Sequence, residues 1–209
     1  MEGVTLARDG SPDHKTATAL MDATERLLIT HGYAGVSTRR VAEEAGQPHG
    51  LIRYHFGSLE ALTLRTLDRA ADRILDRQQK LYGGDEAFID KWRTAMNLID
   101  VDLAAGFPKL VAELFAKAWN DDVYREGLSR TMERFTDMLS TAVSGAAQEY
   151  GADLAEDDVL ALATLIRTFQ IGILIERLAG IDTGHTELLA AIDRRLALKH
   201  GGDDARPAT

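Results

Sequence analysis

The segment from Val36 to Leu62, VSTRRVAEEAGQPHGLIRYHFGSLEAL, constrains the fold more than any other part of the chain. Two short apolar patterns with helical spacing meet at Ala45-Gly46, so close together that only a tight turn can separate the two helices. Ser37 is placed to cap the first of them, whose interior holds Arg40 and Val41. Ala42 and Ala45 are small and let the helices approach closely, while Gly46 can adopt the positive φ of a sharp exit. The second helix is expected to begin at Gln47-Pro48, since proline suits a first helical turn, where its missing N–H has no partner to lose. Such a pair of helices reads as a helix-turn-helix.

That unit lays its second helix in the major groove of double-stranded DNA and offers the leading residues to base edges. Here the leading edge is Gln47, Pro48 and His49. A glutamine amide matches adenine, and a histidine can donate to guanine or to a phosphate. Arg53, Tyr54 and His55 fall one to two turns later, where they suit flanking phosphates, and Phe56 reads as core. Blander roles stay open for several of these side chains. Tyr54 and His55 can pack within the helix pair, and Thr38 can serve as a cap without touching DNA. Arg39 and Arg40 are adjacent on one helix and cannot face the same way, so one of them is expected to be a solvated or ion-paired surface charge.

The remainder is read as all-α, about nine helices in total, because nowhere do apolar and polar residues alternate long enough for a sheet. Expected helices run over about 15–31, 37–45, from Gln47-Pro48, and from Ser58 to about Lys80; then from an Asp85 cap to about Ala105, from Gly106-Phe107-Pro108 to about Trp119, from an Asn120-Asp121-Asp122 cap to about Tyr150, over 156–179 and over 184–199. The domain division follows: a DNA-binding unit at 14–60, a helical ligand-binding and dimerisation unit at 61–199, and disordered tails at 1–13 and 200–209.

The net charge of −9 looks wrong for a DNA binder until its distribution is considered. Residues 1–80 hold 11 basic and 11 acidic side chains, so the whole excess lies behind them. A balanced domain still binds DNA when its basic residues share a face. No cysteine is present, which excludes disulfides and thiol chemistry. The start of the chain has no secretory pattern, and no apolar run is judged to approach the roughly eighteen residues of a membrane helix. A cytoplasmic protein with no membrane partner is expected.

At this level of detail the segment resembles the tetracycline-repressor (TetR) family. The resemblance rests on Ser37, Thr38, Val41, Ala42, Ala45, Gly46, Gly50, Ile52, Tyr54, His55, Phe56, Ser58, Glu60 and Leu62, and on the preceding Leu28-Ile29-Thr30-His31-Gly32-Tyr33. It covers about residues 15–65; beyond them only the helical layout and a weak Ala118, Asp121, Arg125 pattern agree. It implies a homodimeric repressor that binds a palindromic operator and releases it when a small molecule, unidentified here, enters the body. By position it implies phosphate contacts from Thr38, Tyr54 and His55, and base or backbone contacts from Arg39, Gln47, Pro48 and His49. Two departures stand out: Leu59 replaces a usual lysine after the capping serine, and Arg53 replaces a usual aromatic. Losing one phosphate contact lowers the salt slope of binding by about one.

The helix over 156–179 is apolar almost all round from Val159 to Leu178, so it needs cover on both sides. We read one side as packed on its own core and the other on a second copy, with Gly172 permitting close approach. The family forms its dimer through helices eight and nine, in agreement. In the family the ligand pocket lies inside helices five, seven and eight, which makes Trp92, Met96, Phe135, Phe169 and Gln170 the candidate lining. Most of the large side chains Phe88, Trp92, Met96, Phe107, Phe115, Trp119, Tyr124, Phe135 and Met138 are expected in the core. Arg167 and Glu176 interrupt helix eight with no role that the residues decide.

Catalysis is not expected. The six histidines, His14, His31, His49, His55, His185 and His200, are scattered, and none forms a helical metal-binding pair with a carboxylate. Asp100 and Asp102 fall on opposite sides of one helix, and no phosphate-binding loop or serine elbow is present. No cofactor or metal is implied. The competing reading is a helical small-molecule carrier or scaffold whose DNA unit is vestigial.

Overall fold

The computed structural model of the chain describes residues 12–203. Among the described residues it holds nine α-helices, one short 3-10 turn and no strand. The helices are α1 (Pro12–His31), α2 (Thr38–Ala45), α3 (Gly50–Phe56), α4 (Leu59–Tyr82), α5 (Phe88–Ala104), α6 (Phe107–Ala118), α7 (Asp122–Glu149), α8 (Glu156–Leu178) and α9 (His185–Asp203), with the 3-10 turn at Tyr33–Gly35. Two bounds differ from the tails expected at 1–13 and 200–209: α1 already starts at Pro12, and α9 continues to Asp203. Residues 1–11 and 204–209 lie outside the described residues.

Two compact units make up the chain, one of Met1–Arg73 with Lys109–Thr131, the other of Ile74–Pro108 with Met132–Thr209. Helices α4, α6 and α7 therefore each contribute to both, a division that differs from the boundary at 60/61 expected from the motif.

In the first unit α1 packs on α2 and α3. Leu20, Ala23, Leu27, Leu28, Val41, Ile52 and Leu62 are all at most 5% exposed. The segment Lys109–Thr131 adds Leu110, Val111, Leu114, Tyr124 and Leu128 to the buried set. Tyr124 is fully buried, and its hydroxyl lies 2.6 Å from that of Tyr33. Burial first, and the Tyr33 hydrogen bond second, push its phenol far above the ordinary range. The Glu113 carboxylate accepts the Tyr33 N–H at 2.7 Å, and a Cβ on Gly32 (φ 65°) would lie 2.7 Å from the same carboxylate. Glycine is required at Gly32 for both reasons. The buried threonines Thr24, Thr63 and Thr66 donate to the carbonyls of Leu20, Leu59 and Leu62 in their own helices, which removes the penalty of an unpaired hydroxyl. Arg69 ties α4 to α1 through Asp22 at 2.7 Å and Glu25 at 2.9 Å.

In the second unit Leu75, Met138, Leu139 and Ala163 form a buried cluster against which Tyr82, Phe135 and Ile166 pack. Helix α5 packs on α8 and α9, with Ile89, Trp92, Ala95 and Ile99 buried. Its start corrects one expectation. Asp85 does not cap it; the N-cap residue is Ala87, without a side-chain cap, and the Glu149 carboxylate of α7 accepts the Phe88 N–H at 2.9 and 3.0 Å. An acid is still what the positive helix end receives, but it comes from a distant helix. Trp119, expected with the core set, is 78% exposed, because α6 ends at Ala118 and leaves it in the turn. Asp100 and Asp102 do diverge: Asp100 pairs with Arg177 and Asp102 with Arg77. Glu176 finds His185 at 2.6 Å.

Helix α8 also overturns the reading that no apolar run is long enough for a membrane. Its 23 residues contain a window of mean hydropathy 1.7, sufficient by length and composition to cross one, and only 11% of that window is buried. Apolar residues at every helical angle, not a single stripe, raise the mean.

Both Asp102 oxygens accept from Arg77 Nη2 at 2.7 Å. Burial raises the Asp102 pKa and the guanidinium opposes that rise. In Arg77→Met the carboxylate stays buried without its partner. We expect a loss of about 2–3 kcal/mol at neutral pH, less than the ~3–5 of fully buried pairs because Arg77 is partly exposed. A carboxyl whose folded pKa is raised costs stability as pH rises past the ordinary carboxylate range. The deficit should therefore narrow on acidification in urea melts; a deficit equal at all pH values would place the loss in the arginine's alkyl packing.

Candidate nucleic-acid interface

Local chemistry builds the turn between α2 and α3. The Ser37 hydroxyl accepts the Arg40 N–H at 3.2 Å and caps α2 as its spacing predicts. At the other end Gly46 takes φ 63° and ψ 33°. The Gly46 N–H reaches the Glu43 carbonyl at 3.2 Å and the Gln47 N–H the Ala42 carbonyl at 2.9 Å, the paired bonds of a Schellman turn. Helix α3 does not begin at Gln47-Pro48 as expected; it begins at Gly50. Having turned through Gly46, the chain needs residues 47–49 to change direction before helical bonding resumes with Leu51 on Pro48 and Ile52 on His49. Ser58 then caps α4 by accepting the Ala61 N–H at 3.1 Å.

Five of the eight candidate DNA-facing residues, Thr38, Arg39, Gln47, Pro48 and His49, line one open concave surface with Ala42, Glu43 and Gly46. Arg53, Tyr54 and His55 lie on the following helix, outside that lining. Tyr54 is 69% exposed, so it is not core, and its ring meets the half-buried His55 edge-on at 4.8 Å. Phe56 is half-buried. Thr38 is exposed and Ser37, not Thr38, makes the cap. Of the two adjacent arginines, Arg39 is the ion-paired one, its Nε 2.7 Å from Glu43. The hydrogen bond and charge of Glu43 raise its pKa. Arg53 is exposed and has no ion pair among the described residues, consistent with a cation left for an outside partner.

The five candidates for a ligand pocket all lie in the second unit. Trp92 is 6% exposed within the α5 core, and Met96, Phe135, Phe169 and Gln170 are half-buried. The second unit has a distinct cleft lined by Gln79, Tyr82, Gly83, Phe88, Lys91, Met138, Thr141, Ala142, Gly145, Ala146 and Glu149, none of them on that candidate set. Sequence reasoning missed this cleft because its α7 residues lie far along the chain from those of α4 and α5. It equally missed the Tyr33–Glu113–Tyr124 contacts; the only local signal for them was Gly32. No group of His, Asp and Glu suited to a metal ion occurs among the described residues.

The fold places a helix-turn-helix at the head of a helical body. Residues 20–66 match the family described as bacterial regulatory proteins, tetR family. A 57-residue stretch is 33% identical to the HTH-type transcriptional repressor AcnR of Corynebacterium efficiens, covering 27% of this chain and 30% of that repressor. Among solved structures, E. coli NemR in its reduced form superposes with a TM-score of 0.72 at 18% identity, over 85% of this chain and 95% of that one. A TetR-family regulator from Rhodococcus sp. gives 0.68 at 24% identity, over 86% and 97%. The helix-turn-helix segment therefore matches the TetR family, and the chain as a whole shares the fold of these solved structures.

Nothing lies within 4 Å of where a Cβ on Gly46 would stand, so only backbone strain opposes a side chain there. Gly46→Ala should cost about 1–2 kcal/mol through the left-handed conformation. With roughly 2–4 °C of melting temperature per kcal/mol for a chain of this size, a thermal melt resolves it. An unchanged melt would mean that the turn relaxes to another conformation.

Proposed function

We propose that the chain is a repressor that binds a palindromic operator as a homodimer and releases it when a small molecule binds its C-terminal helices. The observation that carries this reading is the concave surface on which Thr38, Arg39, Gln47, Pro48 and His49 stand together, all of them exposed except the half-buried Gln47. Gln47 and His49 supply base-reading chemistry, and Thr38, Arg53, Tyr54 and His55 supply donors for phosphates on either side.

Dimerisation is supported by what α8 leaves uncovered. Leu160, Leu162 and Leu165 are 53%, 39% and 63% exposed, and Leu188 on α9 is 44% exposed. Isolated exposed leucines are ordinary, but a run of them on a helix this long and apolar asks for a partner. A second copy covers them symmetrically, and two recognition helices then read two half-sites. A soluble, cytoplasmic dimer accounts for α8 without a membrane. The effector is proposed to sit among the helices of the second unit.

Two substitutions separate these parts. Tyr54→Ala removes an exposed ring and hydroxyl and should weaken retention of the upstream DNA about tenfold in gel shifts, roughly the worth of a charge-assisted hydrogen bond. Its mass in sedimentation should match the wild type; a shifted mass contradicts a DNA-facing role. Leu165→Glu should yield a monomer with unaltered helical circular dichroism and no retention at moderate salt. If it remains a dimer, α8 does not form the interface. Absence of any retention by the wild-type protein at low salt sinks the repressor reading itself.

A further inference from the structure

The chain breaks between α4 and α5 at Gly83-Gly84, and the cleft noted above opens beside that break. Its volume, about 390 Å³, lies in the range of small-molecule sites. Tyr82 and Phe88 contribute two rings whose centroids lie 6.1 Å apart with planes 27° from parallel. Tyr150 backs Phe88 edge-on at 6.0 Å. From α7 come small residues, Ala142, Gly145 and Ala146, and a Cβ placed on Gly145 would meet nothing within 4 Å. The cleft is thus flat-walled, and its α7 lining has been kept short.

Its charges are unevenly matched. Glu149 is engaged with the Phe88 N–H at the start of α5 through both oxygens. Lys91 has no carboxylate partner among the described residues; its ammonium donates only to the Tyr82 carbonyl, at 3.3 Å. A lysine charge beside two aromatic rings with only a weak neutral acceptor is a poor arrangement for the chain alone and a good one for an incoming anion. The Gln79 carboxamide, also on the lining, makes no side-chain hydrogen bond among the described residues and offers a second donor. Burial pushes the Tyr82 phenol up to about 12, so it stays neutral and does not oppose a negative ligand.

We propose that this cleft binds a small flat aromatic carboxylate, its ring against Tyr82 and Phe88 and its carboxylate on Lys91 and Gln79, and that such a molecule is the effector. The proposal rests on reading the chain as a ligand-responsive regulator. It places the ligand apart from Trp92, Met96, Phe135, Phe169 and Gln170, so mutation distinguishes the two locations.

The test titrates the full-length protein with 2-naphthoate, following naphthoate fluorescence, and repeats the titration with the neutral 2-naphthalenemethanol. Wild type should bind naphthoate saturably and the alcohol at least about tenfold more weakly. Gly145→Leu, whose Cβ would meet nothing within 4 Å and whose branch would project from the α7 lining, should abolish binding, and Lys91→Met should weaken it about tenfold. Phe169→Ala should bind as wild type does. No naphthoate binding by the wild type, full binding by Gly145→Leu, equal affinity for the alcohol, or loss confined to Phe169→Ala overturns the proposal. Gel shifts on the same proteins keep the two readings apart. All variants should retain upstream DNA without naphthoate, and naphthoate should release it from the wild type but not from Gly145→Leu. Bound naphthoate that leaves retention unchanged overturns the effector role, whereas a wild type that never retains DNA sinks the regulator reading and leaves the binding site judged by fluorescence alone.

Discussion

A helix-turn-helix needs a foundation that its own residues cannot supply. Helices α1, α2 and α3 have 20, 8 and 7 residues, too few to bury a core that holds α3 at a fixed angle. The first unit solves this by recruiting Lys109–Thr131, and the contact that joins it is the Tyr33–Tyr124 hydroxyl pair. Tyr124 is fully buried, its ring meets Tyr33 edge-on at 5.5 Å, and the Lys117 ammonium stands over both rings at 5.1 and 5.6 Å. Glu113 holds the same turn by its backbone. Everything the α2–α3 surface does depends on this short stretch after α1 being immobile. It is therefore built from one fully buried phenol, one backbone-to-carboxylate bond and a backbone at Gly32 that only glycine permits.

What could be read from sequence follows the range of the forces involved. The Ser37 and Ser58 caps, the left-handed Gly46 and the order of nine helices are set by neighbours within a turn or two, and the residues announce them. The start of α3 was misplaced because Pro48 fits a first helical turn on local grounds, while the Schellman turn at Gly46 still had to redirect the chain. Asp85 was a plausible cap by the same local logic. The geometry instead presents Glu149, 61 residues away, and no periodicity encodes that choice. Tyr124 and Trp119 make the point within five residues. Both are large aromatics near a helix boundary, yet one is fully buried and the other almost free, because Tyr124 lies on the inward side of α7 whereas Trp119 falls in the turn after α6.

Helix α8 shows composition giving the right tension and the wrong threshold. Its all-round apolarity was legible, as was the need for cover on two sides. That the same 23 residues also satisfy the length and hydropathy of a membrane span follows from that apolarity. The two environments compete for the same surface, and the chain carries arguments for a protein partner. Acidic residues Glu156, Asp157 and Asp158 open the helix, where they favour its dipole, and Arg167 sits half-buried within it with its Nε unpaired. A charge in mid-helix is expensive against lipid tails and tolerable against another protein that brings an acceptor.

Charge placement in the first unit bears on how DNA would be held. Arg26 pairs with Glu44, Arg39 with Glu43, Arg69 with Asp22 and Glu25, and Arg73 with Glu25. Four of the basic side chains that a count would credit to DNA are thus engaged by the protein's own acids. Of these pairs only that of Arg39 lies on the concave surface. Phosphate attraction is then left to few cations, Arg53 foremost, and Leu59 withholds another. A surface with few free charges gains little from counterion release. On the proposed function, recognition by such a surface would lean on the short-range chemistry of Gln47, His49, Tyr54 and His55, and its affinity would be less sensitive to salt and more sensitive to sequence than that of a surface carrying the lysine.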